Sequence, residues 1–178
     1  DRRLRETFKN GLPSGRYSSY LWDGMKIVGG GQGGIAIDAM YTMSATNTVL
    51  GDSTPKRLNF NSQEYDPQGT VTTGSSWAFT APAAGVYFVL VNAPLSIGNG
   101  IDWVAADRAD LSIQGAVGEV LCTWVGIAVE ARPANLLLMG FRPIPLDAAD
   151  VIYAQLVQDC GTDRNVDAAI ANIVIGHV

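Results

Sequence analysis

The sequence has few of the side chains from which catalytic and metal sites are usually built. It contains one histidine, His177, and two cysteines, Cys122 and Cys160. Nucleophile–base pairs and zinc sites need such residues in clusters, so neither a Ser-His-Asp nor a Cys-His site is expected. We therefore predict no enzyme, no catalytic residue, no metal and no cofactor. The cysteines are predicted to be separate, mostly buried thiols, and His177 to be an ordinary strand residue.

Charged residues are also scarce. They make up 16% of the chain, with a net charge of -5. Nucleic-acid binding needs a basic face that displaces counterions, so no nucleic-acid partner is expected. No apolar run reaches the roughly 18 residues that mark a candidate membrane span, and the Asp-Arg-Arg start lacks the pattern of a signal peptide. We expect neither membrane insertion nor a secretory leader.

Apolar and turn-forming residues are abundant instead. Hydrophobic residues make up 47% of the 178 positions, and 20 positions are glycine. A chain of this length forms one domain with a sizeable core. Long surface helices would need more glutamate and lysine, so the composition favours short strands separated by many turns.

Period-two alternation from residue 34 onward predicts an all-β domain. Apolar residues fall on one face of the first segment from Ile35 to Met43, as in a half-buried strand. Residues 44–56 are predicted to be polar and turn-rich. Further strands are predicted at 58–60, 86–91, 109–113, 120–131, 134–141, 151–157 and 168–175. Their spacing is typical of a β-sandwich or barrel.

Two of these segments are apolar on both faces. In 86–91 and in Leu136–Met139 one face can fill the core, and the other needs a cover. A neighbouring subunit is one natural cover, and a loop of the same chain is the alternative. The candidates for this interface or for the core are Tyr87, Phe88, Leu136, Leu138 and Tyr153.

Residues 1–33 differ from the rest of the chain and are predicted to form an arm. A glycine-rich run at 29–34 lies at the end of this region. It lacks the Gly-Lys-Ser/Thr ending of a phosphate loop and is interpreted as a hinge. We expect the arm to attach to a neighbouring subunit or a larger assembly, although it could instead cover one end of its own domain. The attachment residues are predicted to be the aromatic side chains Phe8, Tyr17, Tyr20 and Trp22.

One segment resembles a known family. Trp77-Ala78-Phe79-Thr80-Ala81-Pro82-Ala83-Ala84-Gly85-Val86-Tyr87-Phe88 is similar to a motif of the C1q-like branch of the C1q/TNF jelly-roll superfamily. Supporting elements are Phe60-Asn61, Tyr65-Asp66, the segment from Asp150 to Leu156, and the last strand, Asn172–Gly176. The resemblance covers about residues 34–178. The chain departs from it where Ala149 replaces the usual glycine of Gly-Asp, and where isoleucine and valine replace aromatics in the last strand.

The resemblance implies a jelly-roll sandwich at 34–178 and a homotrimer. It does not specify a ligand. A loose acidic group, Asp102, Asp107 and Asp110, together with Trp103, marks a candidate ligand loop in which Trp103 is expected to be exposed. Calcium binding and glycoside hydrolysis are alternatives to a simply solvated loop. Trp103, Trp124 and Tyr153 could also form an aromatic platform for sugars, although Trp124 is expected in the core.

Two functions fit these expectations. The first is a structural virion protein of a tailed bacteriophage, a trimeric knob that acts as capsid decoration or as a tail or fibre attachment module. Its partners would be further copies of itself, capsid or tail proteins, and a host surface glycan. The second is a secreted or cell-surface C1q-like recognition module that binds protein or glycan.

Overall fold

The computed structural model describes residues 36–96, 103–127 and 136–178, and these ranges form thirteen strands and no helix. The prediction of an all-β domain is confirmed. Apart from Ala36, the described residues belong to one compact unit, Ile37–Val178. The predicted arm, Asp102 and residues 128–135 lie outside the described ranges. No helix in those ranges has the length and apolar character needed to cross a bilayer.

The strands follow one another along the chain with short connections. They are β1 Ala36–Thr42, β2 Asn47–Val49, β3 Lys56–Arg57, β4 Ser62–Tyr65, β5 Val71–Thr72, β6 Ala78–Thr80 and β7 Gly85–Asn92. The remaining strands are β8 Arg108–Gly115, β9 Val120–Ile127, β10 Met139–Leu146, β11 Val151–Gln158, β12 Arg164–Val166 and β13 Asn172–His177.

Two antiparallel sheets enclose the core. The first has the order β10-β7-β13-β1-β4, and the second has the order β5-β6-β11-β8-β9, with β3 also paired to β11. Alternation positions the core side chains, so that Tyr87, Val89 and Val91 of β7 face inward. The indole of Trp77 packs edge-on against Tyr41 and Phe60, with ring centroids 6.1 and 5.4 Å away.

Several strand predictions need correction. Leu58 and Phe60 are fully buried, but the segment between them is not a strand. The tenth strand begins at Met139 rather than at 134 and continues through Pro143 and Pro145. An edge strand tolerates proline because its outer N–H groups need no partner. The short strands β2, β3, β4, β5, β6 and β12 were not predicted. The last strand, predicted at 168–175, spans Asn172–His177.

A third, small sheet closes one end of the sandwich. Strands β12 and β2 pair there, and Leu95 bridges to both Leu136 and Val166. All three of these apolar side chains are buried. The hydrophobic core therefore extends to the small sheet.

Candidate assembly surface

The outer face of β10, β7 and β13 is apolar and exposed. Strand register puts Phe141 of β10 opposite Leu90 of β7, and Leu90 opposite Val174 of β13. We call this surface the β7 face. Its outward positions carry no charge; they are Val86, Phe88, Leu90, Asn92, Met139, Phe141, Pro143, Pro145, Asn172, Val174 and Gly176.

Three large hydrophobic side chains of the β7 face are exposed, as are Pro143 and Pro145. Val86 is 44% exposed, Phe141 56% and Met139 60%. Phe88 is half-buried, and its ring stacks on that of Phe141 with centroids 5.8 Å apart and planes 15° apart. A contiguous exposed apolar patch of this kind is a candidate interaction surface.

Of the predicted interface residues, Phe88 lies on the β7 face and Tyr87 lies behind it. Tyr87 is fully buried, and its ring packs edge-on against Phe79 at 5.6 Å. Its hydroxyl donates to the carbonyl oxygen of Ala83 at 2.8 Å, which fixes the turn before β7. Tyr87 is thus a core residue, and its contacts with Phe79 and Ala83 tie the two ends of the Thr80-Ala81-Pro82 segment together.

The leucine run before β10 divides between core and surface. Leu136 and Leu138 are buried, whereas Leu137 and Met139 are each about 60% exposed. Burial of Leu136 and Leu138 places them in the core rather than at a surface. Leu137 extends the exposed apolar stripe that begins at Met139.

Tyr153 lies on the opposite side of the sandwich, on the outer face of β11. It is half-buried, and the guanidinium carbon of Arg57 lies 3.9 Å from the centre of its ring. Strand β11 belongs to the second sheet, so Tyr153 does not contribute to the β7 face.

The expectation of an exposed Trp103 is wrong. Its side chain is fully buried, and the guanidinium carbon of Arg164 lies 4.4 Å from the ring centre. A hydrophobic ring that can stack beneath an arginine gains more from burial than from projecting beside an aspartate. The proposed sugar platform is therefore not assembled: Trp124 packs at the edge of the core instead.

The remaining acidic residues of the candidate ligand loop have local structural partners. Asp107 accepts a hydrogen bond from the backbone N–H of Val104 at 2.8 Å. Asp110 binds the guanidinium of Arg108, with Nη2 2.6 Å from the carboxylate. Within the described ranges, no group of three or more histidine, cysteine or acidic side chains could hold a metal ion.

The two cysteines are separate free thiols, as predicted, but both are half-buried rather than mostly buried. Burial raises the pKa of Cys122. Cys160 contacts the side-chain oxygen of Gln158 and accepts a 3.4 Å hydrogen bond from Nε of Arg164. Both thiols therefore belong to the packing of the domain.

A side-chain contact between the first and last strands was not predicted. Asp38 of β1 is buried, and its carboxylate lies 2.7 Å from Nδ1 of His177 in β13. The two residues are 139 positions apart, and only a registered β1–β13 pairing could have suggested the contact. His177 is thus a structural partner of a buried carboxylate.

A second buried carboxylate organises the Tyr65-Asp66 element. Asp66 accepts hydrogen bonds from the Tyr41 hydroxyl at 2.9 Å, from the Thr70 N–H and hydroxyl at 2.9 and 3.0 Å, and from the Val71 N–H at 3.1 Å. Burial opposes ionisation, but these hydrogen bonds outweigh it and lower the pKa of Asp66. Burial and the neighbouring carboxylate raise the pKa of Tyr41.

Ala149 stands where the motif that this chain resembles has a glycine, and its backbone has the conformation that glycine favours. Ala149 has a φ of 71°, a left-handed conformation that glycine adopts without strain. Its N–H donates to the carbonyl oxygen of Ala81 at 2.8 Å, and the N–H of Ala81 donates to the carbonyl oxygen of Asp150 at 2.8 Å. The turn before β11 is therefore tied to the Thr80-Ala81-Pro82 segment.

Comparison with solved structures identifies the fold. Eiger, a TNF from S. frugiperda, superposes with a TM-score of 0.56 at 12% identity, over 80% of this chain and 92% of that one. Murine APRIL at pH 8.0 gives a TM-score of 0.51 at 10% identity, over 80% and 98% of the two chains. No family profile and no curated protein sequence matches. The prediction of a C1q/TNF-like jelly roll is confirmed at the level of the fold.

Proposed function

We propose that this chain is a self-assembling structural module, a homotrimeric jelly-roll knob of a tailed bacteriophage virion. It would act there as capsid decoration or as a tail or fibre attachment module. The observation that carries the self-assembly is the exposed, uncharged β7 face. The number three comes from the resemblance to the C1q/TNF superfamily.

The energetics favour covering the β7 face. Fully burying one phenylalanine, valine or methionine side chain is worth about 1.5–3 kcal/mol, and Phe141, Val86 and Met139 are each roughly half exposed in the single chain. A closed ring of identical subunits covers the same patch on every copy. No charge would have to be desolvated at the outward positions of this face.

In the proposed virion role, the arm at residues 1–33 would act as a second binding segment besides the β7 face. Residues 1–33 hold four large aromatic side chains, Phe8, Tyr17, Tyr20 and Trp22, of the kind that anchor protein interfaces. We propose that they attach the knob to capsid or tail protein. A host surface glycan is a further proposed partner.

A recognition module is the second candidate. The fold likeness to Eiger and to murine APRIL covers 80% of this chain, and a jelly roll of this kind is compatible with such a role. In this role the assembly would be secreted or displayed at a cell surface and would bind protein or glycan.

Light scattering tests the assembly. The wild-type protein should have three times the 18.9 kDa chain mass, and a stable monomer would contradict the proposal. Val86→Asp and Phe141→Asp should each give folded monomers, because a buried unpaired charge is costly at an interface. Val120→Asp is the matched control: Val120 is 60% exposed on the other sheet, so this variant should keep the wild-type mass.

Particle composition separates the two roles. Mass spectrometry of purified phage particles from the source should detect the chain in stoichiometric amounts if it is a virion protein. Deleting residues 1–33 should leave the trimer intact and abolish incorporation into particles. Detection only in cell-surface or culture-medium fractions would favour the recognition module instead.

A further inference from the structure

Arg57 is fixed on the outer face of the second sheet. Its Nε donates to the carbonyl oxygen of Trp77 at 2.7 Å, while the guanidinium carbon lies 3.9 Å from the ring centre of Tyr153. One contact comes from the chain just before β6 and the other from β11. The hydrogen bond at Nε and the stacking on the Tyr153 ring together hold the planar guanidinium in one orientation.

This cation has no anionic partner in the part of the chain that the structure describes. The exposed Arg108 on the same sheet is neutralised by Asp110, but no carboxylate pairs with Arg57 there, and its two Nη groups make no hydrogen bond. Partial burial lowers the pKa of Arg57, which reports the cost of keeping an unpaired cation there. Residues 36–178 carry six basic and fourteen acidic side chains, a net charge of -8. Among the described residues Lys56 and Arg142 also lack a carboxylate within ion-pair distance, so what distinguishes Arg57 is that its guanidinium is held in place on both sides.

The neighbours of Arg57 on this face are neutral hydrogen-bonding groups. Register puts Gln155 opposite Arg57, Ser112 opposite Gln155, and Thr123 opposite Ser112, in one row across four strands. Gln155 is half-buried and Thr123 is exposed. Ser112 is buried, and its hydroxyl is bonded to the carbonyl oxygen of Gln155 and to the amide of Gln114. The group that the row places beside the fixed positive charge of Arg57 is therefore the amide of Gln155.

We propose that Arg57 binds the carboxylate of a ligand on this outer face, with the neighbouring Gln155 contributing hydrogen bonds. A guanidinium presents paired N–H donors that match the two oxygens of a carboxylate. A small acid and an acidic sugar residue share this chemistry. The site goes beyond the proposed assembly and does not depend on it, since β11 and β3 belong to the sheet opposite the β7 face.

Calorimetric titration of the wild-type protein tests the site with glucuronate, acetate and glucose. Glucuronate should bind and glucose, its neutral counterpart, should not. Equal affinity for acetate would assign the site to simple carboxylates, whereas much tighter binding of glucuronate would assign it to acidic sugars. Absence of glucuronate binding at millimolar concentrations would overturn the proposal.

Variants locate the binding. Arg57→Met keeps much of the aliphatic stem and should weaken glucuronate binding about tenfold or more, the effect of losing a charge-assisted pair. Arg108→Met removes a cation from the same sheet and should leave the affinity unchanged. Equal losses in both variants would indicate diffuse electrostatic attraction and would contradict a site at Arg57. Light scattering on the same samples reports the assembly separately, so failure of either proposal can be told apart.

Discussion

The indole ring of Trp124 in β9 lies so close over Gly140 in β10 that a methyl group added at Gly140 would overlap the ring. The two residues belong to edge strands of different sheets. Their contact packs β9 of the second sheet against β10 of the first. Gly140 is therefore required for its lack of a side chain.

Replacing Gly140 with alanine should lower the free energy of unfolding by about 1–3 kcal/mol, as expected for overpacking. Urea denaturation measures this change. Gly85→Ala is the control, since a methyl group there would meet only atoms at 3.9 Å or farther. Adding Trp124→Phe to Gly140→Ala should recover part of the loss, and no recovery would show that the ring is not the obstacle.

Ala149→Gly should stabilise the domain. The left-handed backbone costs a non-glycine residue roughly 1–2 kcal/mol, and glycine removes that strain while losing about 0.4–1 kcal/mol through greater freedom of the unfolded chain. We expect a net gain of about 0.5–1 kcal/mol by these same principles, measured as a higher melting temperature. Ala148→Gly, one residue earlier and outside the left-handed region, should give no gain. Equal effects of both substitutions would contradict the strain argument.

Asp66→Asn should flatten the acid dependence of stability. Because the folded-state pKa of Asp66 is lowered, its ionised form stabilises the fold above the unfolded-state pKa of about 3.9. This contribution is lost as the pH falls through the lower, folded-state value. Denaturation series from neutral pH to acid should show a shallower decline for Asp66→Asn than for the wild type.

The same substitution should cost about 1–3 kcal/mol at neutral pH, because an amide group cannot accept from every donor around the carboxylate. Tyr41→Phe removes one of those donors and should produce an intermediate acid dependence. An unchanged slope in Asp66→Asn would mean that other carboxylates control acid unfolding.

Tyr87→Asp and Phe88→Asp should separate folding from assembly. Tyr87 is fully buried against Phe79, so a charge there should prevent folding. Phe88 points to the opposite side of the same strand, onto the β7 face, and its replacement should leave a folded monomer. Circular dichroism and light scattering distinguish these outcomes, and a native trimer from either variant would contradict the placement of β7.

The long strands could be predicted because runs of apolar, β-branched and aromatic residues between turn signals are visible in the sequence, as in β7 and β11. Strands of two or three residues, such as β5, are too short to show a period, and their pairing is decided by distant partners. The start of β10 was misplaced because Leu136–Leu138 reads as a strand, whereas Pro143 and Pro145 read as strand breakers. Burial of Trp103 depends on Arg164, a contact that sequence alone could not supply.

The β7 face was partly predictable. Apolar residues on both faces of β7 indicated that Phe88 needed a cover, but its stacking partner Phe141 came from a strand whose bounds were wrong. Arg57 was not singled out, because its significance depends on the ring of Tyr153 beneath it and on the absence of a carboxylate nearby among the described residues.

Strand β13 lies between β7 and β1 in the middle of the first sheet, and its His177 reaches Asp38 across 139 positions. The sheet therefore cannot be completed by local hairpins alone. The chain loses the entropy of closing this long loop before the β13 pairings can stabilise it, which slows folding. Domains dominated by such non-local contacts fold in milliseconds to seconds rather than microseconds. Loss of β13 would divide the sheet through its centre, so nascent or truncated chains would present open strand edges to one another and be prone to aggregate.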